Sequence, residues 1–271
     1  MRGLFTAGVL DALFEGGVRF DGIIGVSAGA CFGCNYKSHQ PGRVIRYNTR
    51  FAKDPRYCSW RTLYRTGDLF GAEFCYHDLP DELDPFDAKT FASDPTAFYC
   101  VTTDCFSGKP VYHHIAKIDY GELEWMRASA SMPLVSRPIE LDGLIHLDGG
   151  LSDGIPVRYF EKLGYDRNVV ILTRPRAYRK KPSWKHALLK PFLLNLPIVY
   201  RAIRTRHVRY NATLEYLAKR ETEGAALVIA PEADLPIGRI CHDPETMRSV
   251  YELGLAAGRA RLGDVGTFMR R

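Results

Sequence analysis

Apolar positions fall in short blocks along the chain, and their spacing changes from block to block. Leu4, Val9, Leu10, Leu13 and Phe14 recur at helical spacing, so residues 4–14 read as a helix, stopped by Gly16-Gly17. The run Phe20 to Val26 is continuous, apolar and of strand length. Small residues from Ala28 to about Tyr36 then suit a second helix. Residues 39–94 alternate Pro, Gly, aromatics and charges without a clean period, which predicts loops and short helices. Ala97–Thr103 and Pro110–Ile115 read as two strands joined at Ser107-Gly108-Lys109. A helix is expected over Glu122–Ser131, ending before Pro133. Asp142-Gly143 sits between apolar residues in Ile139–Leu147, the signal for a two-residue hairpin. Val169–Thr173 and Ala226–Ala230 suit buried strands; Val199–Arg220 and Glu245–Arg261 suit helices. The mixture predicts an α/β fold in one domain spanning residues 1–271.

Composition adds limits rather than detail. A chain of 271 residues, 46% apolar and 25% charged, can bury a sizeable core. No apolar run reaches the roughly 20 residues of a membrane-spanning helix, and no secretory signal is visible. A cytoplasmic location is the expectation. Seven cysteines without even spacing suggest thiols rather than disulfides. Cys31 and Cys34 have C-x-x-C spacing, which admits a redox or zinc reading. No second pair completes a metal site, so packing within a helix is preferred and no metal or cofactor is expected.

Charge changes the picture more. The net charge is +6, yet Arg167 to Tyr210 holds twelve Lys or Arg and no Asp or Glu. The same segment carries Trp184, Leu188, Leu189, Phe192, Leu193 and Leu194. Cationic and apolar residues together suit peripheral contact with an anionic membrane surface. A merely solvated face is the equal alternative. Nucleic acid is not expected as a partner, because no recognition motif accompanies the charge.

The chemistry begins at Gly25-Val26-Ser27-Ala28-Gly29, a G-x-S-x-G element between a strand and a helix. Glycines flanking the serine are expected to remove Cβ atoms that would clash on so sharp a turn. The following helix offers free N–H groups to developing negative charge. Serine needs a base. His186, His207 and His242 follow the acids, in the chain order Ser, Asp or Glu, His of a hydrolase triad, but nothing singles one out. Asp148, in "IHLDGGLSDGIP", ends a strand before Gly149-Gly150. From spacing alone it serves equally as a turn former. His77, His113 and His114 read as structural.

"GVSAGA", "ASASMP" (Ala128 to Pro133) and "DGGLSDGIP" together resemble the patatin-like phospholipases. "RGLFTAGVLDAL" is similar to that family's first helix and "VTTDCFSGKPVYH" to its central strands. The resemblance runs from Arg2 to about Thr173. It implies a three-layer sandwich, with a mostly parallel central sheet and helices on both faces. It also implies acyl hydrolysis of lipid esters without a metal, with Ser27 as nucleophile and Asp148 as base. The family's oxyanion hole comes from a G-G-x-R-G turn. Here Met1-Arg2-Gly3 matches only x-R-G, so Arg2, Gly3 and Ala28 are the expected oxyanion residues. The first strand and two glycines are missing. A translation start assigned too late is the preferred explanation, and a genuine short form with an incomplete hole is the other. The rival functions are a general esterase or thioesterase with a Ser–His–Asp triad, and a lipid-binding protein without catalysis.

Overall fold

A computed structural model describes residues 1–182, 190–191 and 193–270. The elements in chain order are α1 (Gly3–Glu15), β1 (Gly22–Val26), α2 (Ala28–Lys37), α3 (Arg43–Arg50) and α4 (Trp60–Thr66). A wide-turned π-helix, Phe74–Leu83, and α5 (Ala88–Ser93) follow. Then come β2 (Ala97–Asp104), β3 (Pro110–His114), α6 (Tyr120–Ala130), β4 (Ile139–Leu141) and β5 (Leu144–Asp148). A single 3-10 turn, Gly149–Leu151, leads to α7 (Val157–Lys162), β6 (Asn168–Ile171), α8 (Pro197–Thr222), β7 (Ala226–Ile229) and α9 (Pro244–Arg270).

The expected α/β class holds, with helices flanking a mixed sheet. β1 lies parallel to β2, while β3 and β5 pair antiparallel with β2 and β4 pairs antiparallel with β5. β6 and β7 form a separate parallel pair. Antiparallel pairs are thus more numerous than a mostly parallel sheet would have. Two of them are local: the β2–β3 loop and the Asp142-Gly143 turn are too short for a parallel crossover. Asp142 and Gly143 both take positive φ, 51° and 74°, as a primed hairpin turn requires.

Helices cover both faces where side chains alternate. On β7, Leu227 and Ile229 join a core with α1 and α9, whereas Ala226 and Val228 pack with Leu214 and Leu217 of α8. On β2, Phe98 and Cys100 pack with Ala30 and Cys34 of α2 and with Trp125 and Met126 of α6. α1 is wider in its burial than the one-faced helix its spacing predicts. Every residue from Gly3 to Leu13 except Thr6 is buried, because the helix is enclosed by α2, α3 and α9. α9 also runs past the expected Arg261, since Val265 and Phe268 continue its buried face.

Asp11 is an acidic group sealed in this core. It is 5% exposed, and its Oδ2 accepts from Tyr251 Oη at 2.7 Å and from Gly42 N at 2.8 Å. Burial pushes its carboxyl up to about 6, outweighing both hydrogen bonds. The native state therefore holds this proton more tightly than the unfolded chain does. The associated stability is complete below the ordinary value of 3.8 and is lost as pH rises through about 6. Asp11→Asn keeps an oxygen acceptor without the buried charge. Urea unfolding should find the variant more stable than the parent at pH 8, by up to about 3 kcal/mol, and equal to it near pH 4. Destabilisation at both pH values would contradict this account.

Candidate active site

Strand register brings the two key sequence elements together. Val101 of β2 pairs with Val26 on one edge and Tyr112 on the other; Thr102 pairs with Asp148 and Val111. β1 and β5 therefore occupy the same edge of β2 and run toward each other. Their C-terminal ends meet at Val101-Thr102. Ser27 follows one end and Asp148 is the last residue of the other, so residues 121 positions apart become neighbours.

The turn after β1 is strained in the manner the motif predicts. Ser27 has φ 56° and ψ −125°, a conformation that costs about 1–3 kcal/mol for a side-chain-bearing residue. A Cβ on Gly25 would lie 2.4 Å from the backbone N of Ala30, so only glycine fits there. The second flanking glycine departs from expectation: a Cβ on Gly29 meets nothing within 4 Å, because it would point into open space. Ala28 and Gly29, the first residues of α2, have no i−4 carbonyl partner within the helix. Gly3, at the start of α1, lies against Ala28: its Cβ would be 2.7 Å from that of Ala28. The N-termini of two helices thus converge beside Ser27, and Arg2 is the N-cap of α1. Arg2, Gly3 and Ala28 all line the cleft onto which Ser27 and Asp148 open.

The C-terminal end of α6 holds both sides in place. Ser27 N donates to Ser129 Oγ at 2.9 Å, and Ser129 Oγ donates to Val101 O at 2.6 Å. Two residues on, Ser131 O accepts from Asp148 N at 2.7 Å. The "ASAS" element therefore clamps the elbow and the aspartate to β2. Ser129 was not legible as a positioning residue in the sequence; its only signal was membership of a motif. Ser129→Ala should lower kcat about tenfold with KM little changed, by loosening the elbow about the strained Ser27. Unchanged kcat would show that the clamp is dispensable.

Asp148 is 4% exposed. Burial raises its pKa above the ordinary value; Arg206, the neighbouring Ser27 side chain, the N–H of Gly150 and Arg239 partly offset this. The Gly150 N–H reaches Oδ1 at 2.7 Å. A Cβ on Gly149 would lie 2.1 Å from Val101 O, so this glycine permits the close crossing of β5's end over β2.

The cleft has a volume of about 990 Å³. Phe32, Tyr57, Phe70, Met126, Met132 and Val135 give it an apolar wall. No histidine lines it among the described residues. His242 Nδ1 lies 2.8 Å from Ala52 O, His207 lies on α8, and His186 falls outside the described residues. His113 stacks on Trp125 and bonds to Glu122, His77 stacks on Tyr120 and bonds to Glu124, and His114 packs on Tyr99. Cys31 and Cys34 lie within α2, where burial pushes their thiols up to about 11 and about 12. Both stay protonated at neutral pH, which suits packing better than redox chemistry.

The family model described as patatin-like phospholipase matches residues 1–161, which hold the elbow, the clamp and Asp148. The chain belongs to the patatin-like phospholipase family. A second model, a domain of unknown function numbered 6363, matches residues 196–270, the part containing α8, β7 and α9. The chain is 27% identical to the uncharacterized protein YjjU of Escherichia coli, covering 99% of this chain and 76% of that protein. It is 29% identical to the uncharacterized NTE family protein Mb1092c of Mycobacterium bovis, over 63% of this chain and 45% of that one. It is 26% identical to lysophospholipase nte1 of Aspergillus terreus, over 96% of this chain and 17% of that protein. It spans less than half the length of these last two relatives.

The basic segment resolves into parts. Arg176 pairs with Glu221 at 2.7 Å, and Arg209 donates to the carbonyls of Leu151 and Ala202. Leu193 is buried and Leu194 is 69% exposed. Trp184, Leu188, Leu189 and Phe192 lie outside the described residues. Among the described residues, no helix is long and apolar enough to cross a membrane.

Proposed function

We propose that the chain is a serine hydrolase of lipid carboxylic esters, working through a Ser27–Asp148 dyad. The observation that carries this reading is the end-to-end meeting of β1 and β5, which sets a strained serine beside a buried carboxylate. Asp148 accepts the Ser27 proton as Oγ attacks the ester carbonyl. N–H groups at the starts of α2 and α1, those of Ala28 and Gly3, face the oxygen on which charge develops. The tetrahedral adduct collapses; the C–O bond to the alcohol breaks, the leaving alcohol takes the proton from Asp148, and an acyl-Ser27 ester remains. Water, deprotonated by Asp148, then releases the fatty acid and restores the serine. The apolar wall suits the acyl chain. The name lysophospholipase on a fungal relative agrees with a lipid ester as substrate. A triad has no support from the described histidines.

A fluorophosphonate probe tests the reading directly, because it esterifies only an activated serine. Labelling should map to Ser27 by peptide mass spectrometry and vanish in Ser27→Ala. An unlabelled parent chain, or label retained in the variant, would sink the dyad.

A further inference from the structure

At the Asp148 end of the cleft, five cations gather: Arg2, Arg174, Lys180, Arg206 and Arg239 all line it. They come from four separate parts of the chain. Arg2 caps α1, Arg174 and Lys180 follow β6, Arg206 stands on α8 and Arg239 lies between β7 and α9. Main-chain contacts bring them together. Met1 N donates to Arg239 O at 2.7 Å, which ties the Arg239 loop to the start of α1. Lys180 N donates to Asn211 Oδ1 and Lys180 O accepts from Asn211 Nδ2, which ties the segment after β6 to α8. The nearest approach to the dyad is that of Arg206. Its Nη2 lies 2.7 Å from where a Cβ on Gly150 would be, and Asp148 Oδ1 lies 2.9 Å from the same point.

These cations are under-compensated. Among the described residues, Arg174 has a carboxylate partner, Asp234 at 2.7 Å. Among the described residues, Arg2, Lys180, Arg206 and Arg239 have no carboxylate within 4.0 Å. The Nε of Arg206 is buried and makes no hydrogen bond among the described residues. Two aromatic rings support the cluster instead: the Lys180 ammonium sits 4.7 Å over Tyr210, and the Arg174 guanidinium 4.8 Å over Tyr178. Burial together with repulsion from Arg206, Arg239, Arg2 and Arg174 lowers the Lys180 ammonium to about 8. One carboxylate, Asp148, cannot neutralise such a group, and its Oδ1 already accepts from Gly150 N at 2.7 Å. Holding like charges together without counter-charge is costly, so the arrangement calls for an anion.

We propose that this cluster is a phosphate-binding subsite that selects lipids with a net negative headgroup over zwitterionic ones. The proposal rests on the dyad reading, since it places the headgroup beside Ser27 while the acyl chain follows the apolar wall. A phosphate there satisfies the Arg206 and Lys180 donors by charge-assisted hydrogen bonds. A choline ammonium would meet the same cations and be repelled. The cluster also gives the basic stretch between Arg167 and Tyr210 a role inside the cleft.

Binding separates this proposal from the dyad. Calorimetry on the 271-residue chain carrying Ser27→Ala should use monomeric dihexanoyl phosphatidylglycerol and dihexanoyl phosphatidylcholine below their micellar concentrations, so that no charged surface contributes. The anionic lipid should bind about tenfold tighter or more, and Arg206→Gln and Lys180→Gln should each erase most of that preference. Thermal melting of the two variants confirms that they remain folded. Equal affinity for the two lipids, or a preference that survives both substitutions, would overturn the subsite. Inorganic phosphate should bind far more weakly than the anionic lipid; comparable affinity would overturn the assignment to a lipid headgroup. Loss of fluorophosphonate labelling in the unmodified chain would instead strike the dyad.

Discussion

Asp148→Asn will reduce kcat by about 10³-fold, the middle of the range for removal of a general base, while the fold is kept. The asparagine retains an oxygen to accept the Gly150 N–H, so the 3-10 turn after β5 stays closed. It cannot take a proton from Ser27. The pH profile carries the sharper signature. In the proposed mechanism only the carboxylate form of Asp148 serves as base, so the parent rate should fall as pH drops through its native pKa. Burial sets that pKa above the ordinary 3.8 of an aspartate. The acidic limb of kcat/KM should therefore lie at higher pH than an exposed aspartate would give, and residual activity of Asp148→Asn should lack that limb. Stopped pH-rate measurements on a small neutral ester suffice. A variant with near-parental kcat would remove Asp148 from the mechanism.

Gly149→Ala will be the most destabilising small substitution near the site. The added methyl lands 2.1 Å from Val101 O and 2.6 Å from Val101 C, and backbone atoms cannot swing aside. Val101 is also where β1 and β5 meet on β2. Relief of the clash must separate Asp148 from Ser27. A loss of about 2–4 kcal/mol in urea unfolding is expected, together with a fall in activity larger than the folded fraction explains. Gly29→Ala is the control for stability. It places a methyl in open space on a helix and should leave the unfolding midpoint unchanged or slightly raised. Equal unfolding midpoints for the two variants would refute the packing described at Val101.

Much of the local structure was legible because it depends on short-range rules. The β2–β3 pair, the Asp142-Gly143 hairpin and the strand before Ser27 appear where apolar runs and turn residues put them. α1 and α9 were read too narrowly, since their burial comes from each other across most of the chain's length. The G-x-S-x-G element located the elbow but overstated one glycine: Gly25 faces a backbone nitrogen, whereas Gly29 faces none.

The sequence by itself determined which side chains could do chemistry: a serine on a strand-to-helix turn, an aspartate at a strand end, and an excess of cations between Arg167 and Tyr210. Those depend on residue type and on neighbours a few positions away. Tertiary structure alone decided which of them meet. The shared edge of β2 joins Ser27 to Asp148, Ser129 clamps the elbow from a third element, and Arg2, Arg174, Lys180, Arg206 and Arg239 converge from distant segments. No local spacing encodes such encounters, because they follow from strand register and helix packing across the whole fold.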